Sequence, residues 1–386
     1  MLRKNKLRKD EKNMHILFAG GGTAGHINPA LAVAQYIVKK HPDAKISYIG
    51  KKGGMEERLV KNAGFDFYGI DVAGFQRKIS LKNIARNISA VEKAVISSVR
   101  AKKLLLELKP DVVVGTGGYV SGPVLRMAAK LKIKTAIHEQ NAYPGVTTKM
   151  LVSLVDTVML AMVEAKSRMK LDKLPVVTGN PVREEFSYLT KDLSRKALDL
   201  PNKPVLLSSG GSLGAAPLNK AIIQLIAKKW KDNDIVFMHA TGKAGYENFV
   251  AELRKAGVDL NAPNVIIKDY IDNMGECMAA ADLVIARAGA ITLSELAVCG
   301  KPSILVPSPY VAENHQFHNA MSLKRIGAAE VIEEKDLSGE KLTKVVERLI
   351  LNSSRLEQMG SKAKAASIPD ASKRIYDEVM RLYTTQ

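Results

Sequence analysis

The 386-residue chain is poor in cysteine and in long apolar runs, and each shortage excludes a class of protein. The two cysteines, Cys277 and Cys299, have no metal-type spacing and are too few for a disulfide framework, so we expect two buried structural thiols in a reducing compartment. No uninterrupted apolar run of about 18 residues occurs, and no transmembrane helix is predicted. The basic N-terminus has no apolar core or cleavage site behind it, which predicts a cytoplasmic location.

Acidic and aromatic residues are also scarce. Against 58 Lys and Arg there are 39 Asp and Glu, so the net charge is +19, which favours an anionic partner: nucleic acid, an anionic membrane or a phosphorylated substrate. Aromatic residues make up only 5%, and neither an RNA-binding signature nor a helix-turn-helix pattern occurs, so no nucleic-acid partner is predicted. The hydrophobic content of 46% and the length suffice for two or three domains.

Apolar strand-like runs alternate with helical stretches in two sets. This alternation predicts an α/β fold with two Rossmann-like domains whose parallel sheets face each other across a cleft. The predicted strands are 16–19, 46–49, 112–115, 135–138 and 157–160, then 205–209, 235–239, 265–267, 283–286 and 303–306. We predict a disordered basic tail over 1–13, a first domain over 14–181, a polar linker over 182–203, a second domain over 204–366, and a C-terminal helix over 367–386 that packs back on a domain.

A glycine-rich turn over residues 19–29 lies between a predicted strand and a predicted helix. Its glycines allow backbone N–H groups to approach an anion, and the helix adds the positive end of its dipole. The spacing Gly20-x-Gly22-x-x-Gly25 matches the dinucleotide fingerprint, but the next strand ends without the acidic residue that holds a ribose hydroxyl. Only an NADP variant, with the ligand held by Lys51 and Lys52, is left open. His26 adds a titratable group to this turn.

Other polar loops follow predicted strands, at the edge where parallel sheets bind ligands. His138 and Glu139 are either a hydrogen-bonded structural pair or functional groups. Thr292 and Glu295 fit either a capping box at a helix start or a carboxylate that accepts hydrogen bonds from two ribose hydroxyls. The amides and imidazoles of loop 313–319 suit sugar hydroxyls, or else form a merely solvated loop.

No metal ion or other cofactor is predicted. The segment 232–234 resembles the Asp-x-Asp pair that holds a divalent ion on nucleotide-sugars, but it precedes a strand, at the end opposite to the ligand loops, and is interpreted as a turn. A departing pyrophosphate would then need helix N-termini, backbone N–H groups and a cation such as Arg183 or Arg287.

Seven motifs together resemble the MurG family of glycosyltransferase family 28, which adds N-acetylglucosamine to a lipid-linked muramoyl-pentapeptide in peptidoglycan synthesis. The motifs span residues 21–30, 138–142, 179–183, 210–215, 270–274, 290–295 and 314–320. Ala24 departs from the family, many of whose members have glycine there. The resemblance implies a GT-B fold whose first domain takes the acceptor and faces the membrane, and whose second domain binds UDP-N-acetylglucosamine (UDP-GlcNAc).

The resemblance also implies roles for individual residues. Ile271 would contact uracil, Glu295 the ribose, Ser212 and Arg183 the pyrophosphate, and Gln316 and Asn319 the sugar, while Thr23, Gly25 and Asn141 would close the cleft from the first domain. The full set of predicted substrate-binding residues is Thr23, Ala24, Gly25, Asn141, Arg183, Ser212, Ile271, Ala290, Ile291, Thr292, Leu293, Ser294, Glu295, Gln316 and Asn319.

The implied reaction is inverting. The C4 hydroxyl of N-acetylmuramic acid in undecaprenyl-pyrophosphoryl-muramoyl-pentapeptide (lipid I) attacks the anomeric carbon, and lipid II and UDP result. Such a step needs a base with a pKa near neutrality, and His26 is the first candidate by position, with His138 and Glu139 in reserve.

The segment 75–86 interleaves apolar and basic residues. It predicts either an amphipathic helix that faces the core or a surface that dips into an anionic leaflet, and a lipid-linked acceptor favours the second. The predicted membrane patch comprises Phe75, Arg77, Lys78, Ile79, Leu81, Lys82, Ile84 and Arg86. We therefore expect a peripheral protein on the cytoplasmic side of the bacterial membrane. The alternatives are a GT-B enzyme with another lipid or small-molecule acceptor, and a non-catalytic nucleotide-binding module.

Overall fold

The computed structural model describes residues 13–72 and 96–385, which form two compact units with one parallel β-sheet each. The first unit extends to Pro181 and takes up the segment from Asp370 onward, and the second unit comprises Val182–Pro369. The predicted tail, apart from Asn13, and the predicted membrane patch over 75–86 lie outside the described residues. In the described part of the chain, no helix is long and apolar enough to cross a membrane.

The sheet of the first unit has seven strands in the order β3-β2-β1-β4-β5-β6-β7. They are β1 (His15–Gly20), β2 (Lys45–Lys51), β3 (Asp66–Ile70), β4 (Val112–Gly117), β5 (Lys134–Glu139), β6 (Thr157–Leu160) and β7 (Val176–Val177). Strand order reverses between β1 and β4, so the loops that follow these two strands turn away from each other and leave a crevice at their carboxyl ends.

The sheet of the second unit repeats this plan with six parallel strands in the order β10-β9-β8-β11-β12-β13. They are β8 (Val205–Ser209), β9 (Val236–Ala240), β10 (Val265–Lys268), β11 (Leu283–Ala286), β12 (Ser303–Leu305) and β13 (Ala329–Val331). Here the order reverses between β8 and β11, which places a second crevice after Ser209 and Ala286.

Helices cover both sheets. They are α1 (Ala24–Lys40), α2 (Met55–Asn62), α3 (96–108), α4 (Gly118–Lys130), α5 (Val146–Leu151), α6 (Glu185–Tyr188), α7 (Lys191–Ala197), α8 (Ala216–Lys229), α9 (Tyr246–Lys255), α10 (Met274–Ala280), α11 (Ala290–Val298), α12 (His315–Arg325), α13 (Gly339–Ile350), α14 (Ser353–Ala365) and α15 (Ala371–Thr384). Short 3-10 helices cover Val163–Arg168, Trp230–Asp232, Lys243–Gly245, Ala312–Asn314 and Glu334–Asp336.

Each of the ten predicted strands is present, whereas β3, β7 and β13 were not predicted. The three missed strands lie at sheet edges, where side chains stay partly exposed. A strand buried on both faces is a continuous apolar run, but an edge strand needs no such run and gives a weaker pattern.

The segment predicted as a linker is folded instead, and it belongs to the second unit. It contains α6 and α7, and Phe186 is fully buried. Its charged residues serve the fold: Lys191 Nζ and Arg195 Nη2 each lie 2.5 Å from the Asp282 carboxylate. Part of the polarity that suggested a linker thus comes from side chains that anchor α7 by ion pairs.

The C-terminal helix α15 returns to the first unit. Ile375, Val379 and Leu382 are buried in the same core as the apolar residues of β1 and α1. Polar contacts fix it further, since His41 Nε2 lies 2.7 Å from the Tyr376 hydroxyl and Arg381 Nη2 donates to Thr157 Oγ1 at 2.7 Å.

The two cysteines are both thiols, in different surroundings. Cys277 is buried as expected, whereas Cys299 is only half-buried, so the prediction of two buried residues was wrong for Cys299. Burial raises the pKa of each thiol to about 11, which keeps both protonated and unreactive near neutrality.

A buried polar cluster in the second unit makes that unit sensitive to acid. The His239 ring, on β9, lies 2.7 Å from Ser208 Oγ through Nδ1 and 3.2 Å from Asn219 Oδ1 through Nε2. The Asn219 amide nitrogen donates to the Thr241 carbonyl, so Oδ1 must accept the Nε2 proton of the ring. Burial lowers the pKa of His239 from 6.5 to about 3.

We therefore expect the free energy of unfolding of the second unit to fall as the pH drops below about 6.5, by about 1.4 kcal/mol per pH unit, because the unfolded chain then binds a proton that the folded chain does not. Urea unfolding between pH 5 and pH 8 measures this slope. His239→Gln, which stays neutral, should reduce it, and an unchanged slope in that variant would contradict the assignment.

Candidate active site

The glycine-rich turn after β1 is organised by a buried carboxylate. Glu56, in the first turn of α2, accepts hydrogen bonds from Lys51 N at 2.9 Å and, more weakly, from Gly22 N at 3.4 Å. A Cβ on Gly21 would lie 2.1 Å from Glu56 Oε1, so the turn needs glycine there. This negative charge occupies one N–H group of the turn and opposes a phosphate beside it, which disfavours the NADP interpretation.

Sequence reasoning missed Glu56. The sequence did contain a signal, an acidic residue five positions after the end of β2. It was overlooked because a dinucleotide site has its acidic residue at the end of the strand and not inside the following helix.

His26 lies in the first turn of α1, half-buried, at the crevice between β1 and β4. Its Nδ1 atom is 3.0 Å from Oε1 of Gln140, which follows β5. The ring lies over Gly117, the last residue of β4: a Cβ there would approach Nδ1 to 2.8 Å, and the φ of +103° also favours glycine. The structure therefore brings together the ends of three neighbouring strands around one imidazole.

The two reserve candidates, His138 and Glu139, are engaged with the protein but not with each other. His138 Nε2 lies 2.9 Å from the Gly179 carbonyl oxygen, and burial lowers the pKa of the ring. The Glu139 carboxylate accepts hydrogen bonds from Asn141 N, Asn141 Nδ2 and Gly145 N at 3.0 to 3.1 Å, and from Thr148 Oγ1 at 2.6 Å. Adjacent residues of a strand point to opposite faces, which explains why the predicted pair does not form.

Glu139 thus organises the loop that presents Asn141, one of the predicted substrate-binding residues. We expect Glu139→Ala to lower the free energy of unfolding of the first unit by about 3 kcal/mol, because four donors lose a charged acceptor. Thr148→Val is the matched control, since it removes one of those donors and should reduce stability less. Equal losses in the two variants, measured by urea unfolding, would show that the carboxylate does not hold the loop.

In the second unit, a glycine-rich turn leads from β8 into α8. Gly211 and Gly214 have φ of +87° and +75°, and a Cβ on Gly214 would lie 2.1 Å from the Thr241 carbonyl oxygen. Ser212 is exposed in this turn. The Gly211 N–H donates to Ser209 Oγ at 3.1 Å and the Gly214 N–H donates to the Gly211 carbonyl at 2.9 Å. The groups of this turn that suit an anion such as a diphosphate are therefore the Ser212 hydroxyl and the positive end of the α8 dipole.

Glu295 does not form the predicted capping box. Helix α11 begins at Ala290 with Gly289 as its N-cap, so Thr292 lies inside the helix and makes no cap hydrogen bond. Within the described residues, no hydrogen bond reaches the Glu295 carboxylate. Burial raises its pKa to about 7, against the opposing charge of Arg183. A half-buried carboxylate without a structural partner is suited to accept hydrogen bonds from ligand hydroxyls.

The other predicted donor-site residues also belong to the second unit. Arg183 Nη1 lies 3.0 Å from Glu185 Oε1, and Ile271 is buried just before α10. Gln316 Oε1 accepts from Ser308 N at 2.9 Å, and the buried Asn319 donates to the Ala288 carbonyl at 3.2 Å.

Residues 290–295 form the first turns of α11. Thr23, Ala24, Gly25 and Asn141 lie in the first unit beside His26 and Gln140.

Of the two arginines proposed for the pyrophosphate, only Arg183 is exposed. Arg287 is bound to the Glu334 carboxylate and donates to the Val306 carbonyl at 3.1 Å, so its guanidinium is committed to the fold.

The segment 232–234, which resembles an Asp-x-Asp pair, lies in a turn ahead of β9. Asp232 is bound to Lys229, and Asn233 adopts a left-handed conformation. Among the described residues, no cluster of three His, Cys, Asp or Glu side chains could hold a metal ion.

Two Rossmann-like units, each with one parallel sheet and a glycine-rich turn, define the GT-B fold class. The glycosyltransferase family 28 N-terminal domain matches residues 16–160, and the family 28 C-terminal domain matches residues 205–375. The chain belongs to glycosyltransferase family 28.

Relatives similar to this chain carry one name, UDP-N-acetylglucosamine--N-acetylmuramyl-(pentapeptide) pyrophosphoryl-undecaprenol N-acetylglucosamine transferase. The protein from Acetivibrio thermocellus is 44% identical over 94% of this chain and 97% of its own length, and that from Bacillus subtilis is 40% identical over 96% and 99%. The crystal structure of Acinetobacter baumannii MurG is similar with a TM-score of 0.77 at 29% identity, over 95% of this chain and 99% of that one.

Proposed function

We propose that this chain transfers N-acetylglucosamine from UDP-GlcNAc to the C4 hydroxyl of N-acetylmuramic acid in lipid I, with inversion, to give lipid II for peptidoglycan synthesis. The relatives named above support the donor and the acceptor. The observation that carries the chemistry is His26, a half-buried imidazole held through Nδ1 at the crevice of the first unit.

In this mechanism, His26 removes the proton from the C4 hydroxyl while that oxygen attacks the anomeric carbon. The bond between the anomeric carbon and the UDP oxygen breaks, and its electron pair leaves with UDP. Ser212, the N-terminal end of α8 and Arg183 stabilise the departing diphosphate. Glu295 binds the ribose, Ile271 contacts the uracil, and Gln316 and Asn319 contact the sugar. No metal ion is part of this proposal.

The test is the release of UDP by the purified protein from UDP-GlcNAc, with and without a lipid I analogue. We expect release that depends on the analogue and that collapses in His26→Ala and in Glu295→Ala. Undecaprenyl phosphate, which lacks the sugar, is the control and should give no release. If a folded protein binds UDP-GlcNAc but releases no UDP, the acceptor is another lipid or small molecule, or the chain is a binding module.

We also propose that the chain acts as a peripheral protein on the cytoplasmic face of an anionic membrane. The segment 75–86 lies outside the described residues, so this proposal rests on its basic and apolar sequence and on the net charge of +19. Each cation near such a surface adds about 1 kcal/mol.

Vesicles with and without phosphatidylglycerol test the membrane proposal. The triple variant Arg77→Gln, Lys78→Gln, Lys82→Gln should bind the anionic vesicles at least tenfold more weakly than the unaltered protein. Equal binding would place the membrane contact elsewhere.

A further inference from the structure

A chain of hydrogen bonds connects the His26 ring to the protein interior through Gln140. Gln140 is almost fully buried, with 2% of its surface exposed. Its Oε1 lies 3.0 Å from His26 Nδ1, while its Nε2 lies 2.9 Å from the His138 carbonyl oxygen and 3.0 Å from His138 Nδ1. His138 Nε2 in turn lies 2.9 Å from the Gly179 carbonyl oxygen.

The carbonyl groups of His138 and Gly179 determine which atom carries the proton in each of these hydrogen bonds. Carbonyl oxygens only accept, so the Gln140 atom beside the His138 carbonyl must be the amide nitrogen, and the Gln140 oxygen therefore faces His26. For the same reason, His138 carries its proton on Nε2, toward Gly179, and its Nδ1 accepts the second proton of the amide nitrogen. The only proton left for the contact between His26 and Gln140 is one on His26 Nδ1.

We infer that Gln140 is a positioning residue that holds neutral His26 with its proton on Nδ1, so that Nε2 carries the lone pair that acts as the base. The inference deepens the proposed function and rests on it. Which ring nitrogen of a histidine is protonated is set by the hydrogen bond that the other nitrogen makes, and here that bond ends on an atom that can only accept.

The same contact serves both protonation states of His26. When Nε2 takes the proton of the C4 hydroxyl, the imidazolium still donates from Nδ1 to the Gln140 oxygen, so the ring need not move during the step. An amide does not ionise, so it fixes the orientation without raising the basicity of the ring as a carboxylate would. The buried His138 holds the side-chain amide in this orientation through its Nδ1 atom and its carbonyl oxygen. The backbone of Gln140 is held as well, because Asn180 Nδ2 donates to its main-chain carbonyl at 3.2 Å.

The first test measures the tautomer directly. In protein with ¹⁵N-labelled histidine, long-range proton–nitrogen spectra distinguish a protonated from an unprotonated ring nitrogen, and the His26 signals are assigned as those lost in His26→Ala. The neutral His26 ring should carry its proton on Nδ1 in the unaltered protein. Gln140→Leu should convert it to a mixture rich in the Nε2-protonated form. An Nε2 proton in the unaltered protein would overturn the inference even if the transferase function stands.

The second test is kinetic. Gln140→Leu should lower kcat by roughly 10- to 100-fold, the usual effect of removing a residue that orients a functional histidine, with little change in the KM for UDP-GlcNAc. The same substitution in the His26→Ala background should have no further effect on kcat. A further loss in that background would mean that Gln140 acts through the fold alone.

Two further variants separate positioning from stability. Gln140→Glu keeps an acceptor toward His26 but makes it negative, so the Nδ1 proton should be retained and the acidic limb of the pH profile of kcat should move to higher pH. Ser47→Ala is the control for stability. It removes a side-chain contact to a different histidine of the same unit, the 2.9 Å bond between Ser47 Oγ and His15 Nε2, and should change stability without changing kcat. If His26→Ala retains full activity, the base in the proposed function is wrong, whereas the tautomer measurement still decides the role of Gln140.

Discussion

His26→Ala should lower kcat by roughly 10²- to 10⁴-fold while the affinity for UDP-GlcNAc stays unchanged. The loss follows from the removal of the base. Within the described residues, His26 is the only imidazole at the crevice of the first unit that has a ring nitrogen, Nε2, without a protein hydrogen bond, whereas His138 is bonded through Nε2 as well. Donor affinity should persist because the proposed donor residues belong to the second unit.

The measurement is steady-state UDP release with a lipid I analogue, together with calorimetric titration of UDP-GlcNAc. His41→Ala is the matched control, because His41 follows the other end of the same helix and contacts Tyr376 rather than the crevice. A parallel loss of kcat in both variants would attribute the effect to helix α1 as a whole and not to a base.

The second large effect concerns Glu295 and the pH. Because burial raises the pKa of this carboxyl to about 7, and because ribose hydroxyls donate best to the ionised form, the affinity for UDP-GlcNAc should be about tenfold lower at pH 6 than at pH 8. Below the pKa, binding must first release a proton, so affinity is gained as the pH rises through about 7 and is constant above it. UDP-GlcNAc itself does not titrate in this range, since its diphosphate is a diester.

Calorimetry at the two pH values measures this dependence. Glu295→Gln should bind more weakly by roughly 10- to 100-fold at pH 8, the effect of losing hydrogen bonds to a charged group, and should show no pH dependence. In Glu185→Gln, one neighbouring negative charge is gone, so the transition should move to lower pH. A pH dependence that survives in Glu295→Gln would assign the titration to another group.

The inner strands of both sheets and the edge strand β10 could be predicted from the sequence, whereas the edge strands β3, β7 and β13 could not. Runs such as 112–115 and 283–286 are buried on both faces, so the local sequence alone carries the signal. By contrast, β7 has two residues and becomes a strand only because β6 lies beside it. Helix α7 of the predicted linker likewise depends on a distant partner, Asp282.

At the candidate site too, the sequence predicted positions along the chain but not the contacts between distant side chains. Motifs placed His26, Glu295 and the glycine-rich turns, because their positions after strands determine which edge of a sheet they occupy. They could not show that Glu56 lies under the first turn or that the carboxylate of Glu139 holds a loop, since these contacts join side chains whose directions depend on packing. The role inferred for Gln140 was hidden in the same way, because the preceding residues His138 and Glu139 are titratable and more conspicuous.

The return of α15 to the first unit has a consequence for the order of folding during synthesis. The second unit is an insertion into the first, and the first leaves the ribosome with its sheet complete but without Ile375, Val379 and Leu382. The earliest translated domain is therefore finished last. Its apolar face stays uncovered while some 190 residues of the inserted unit are made.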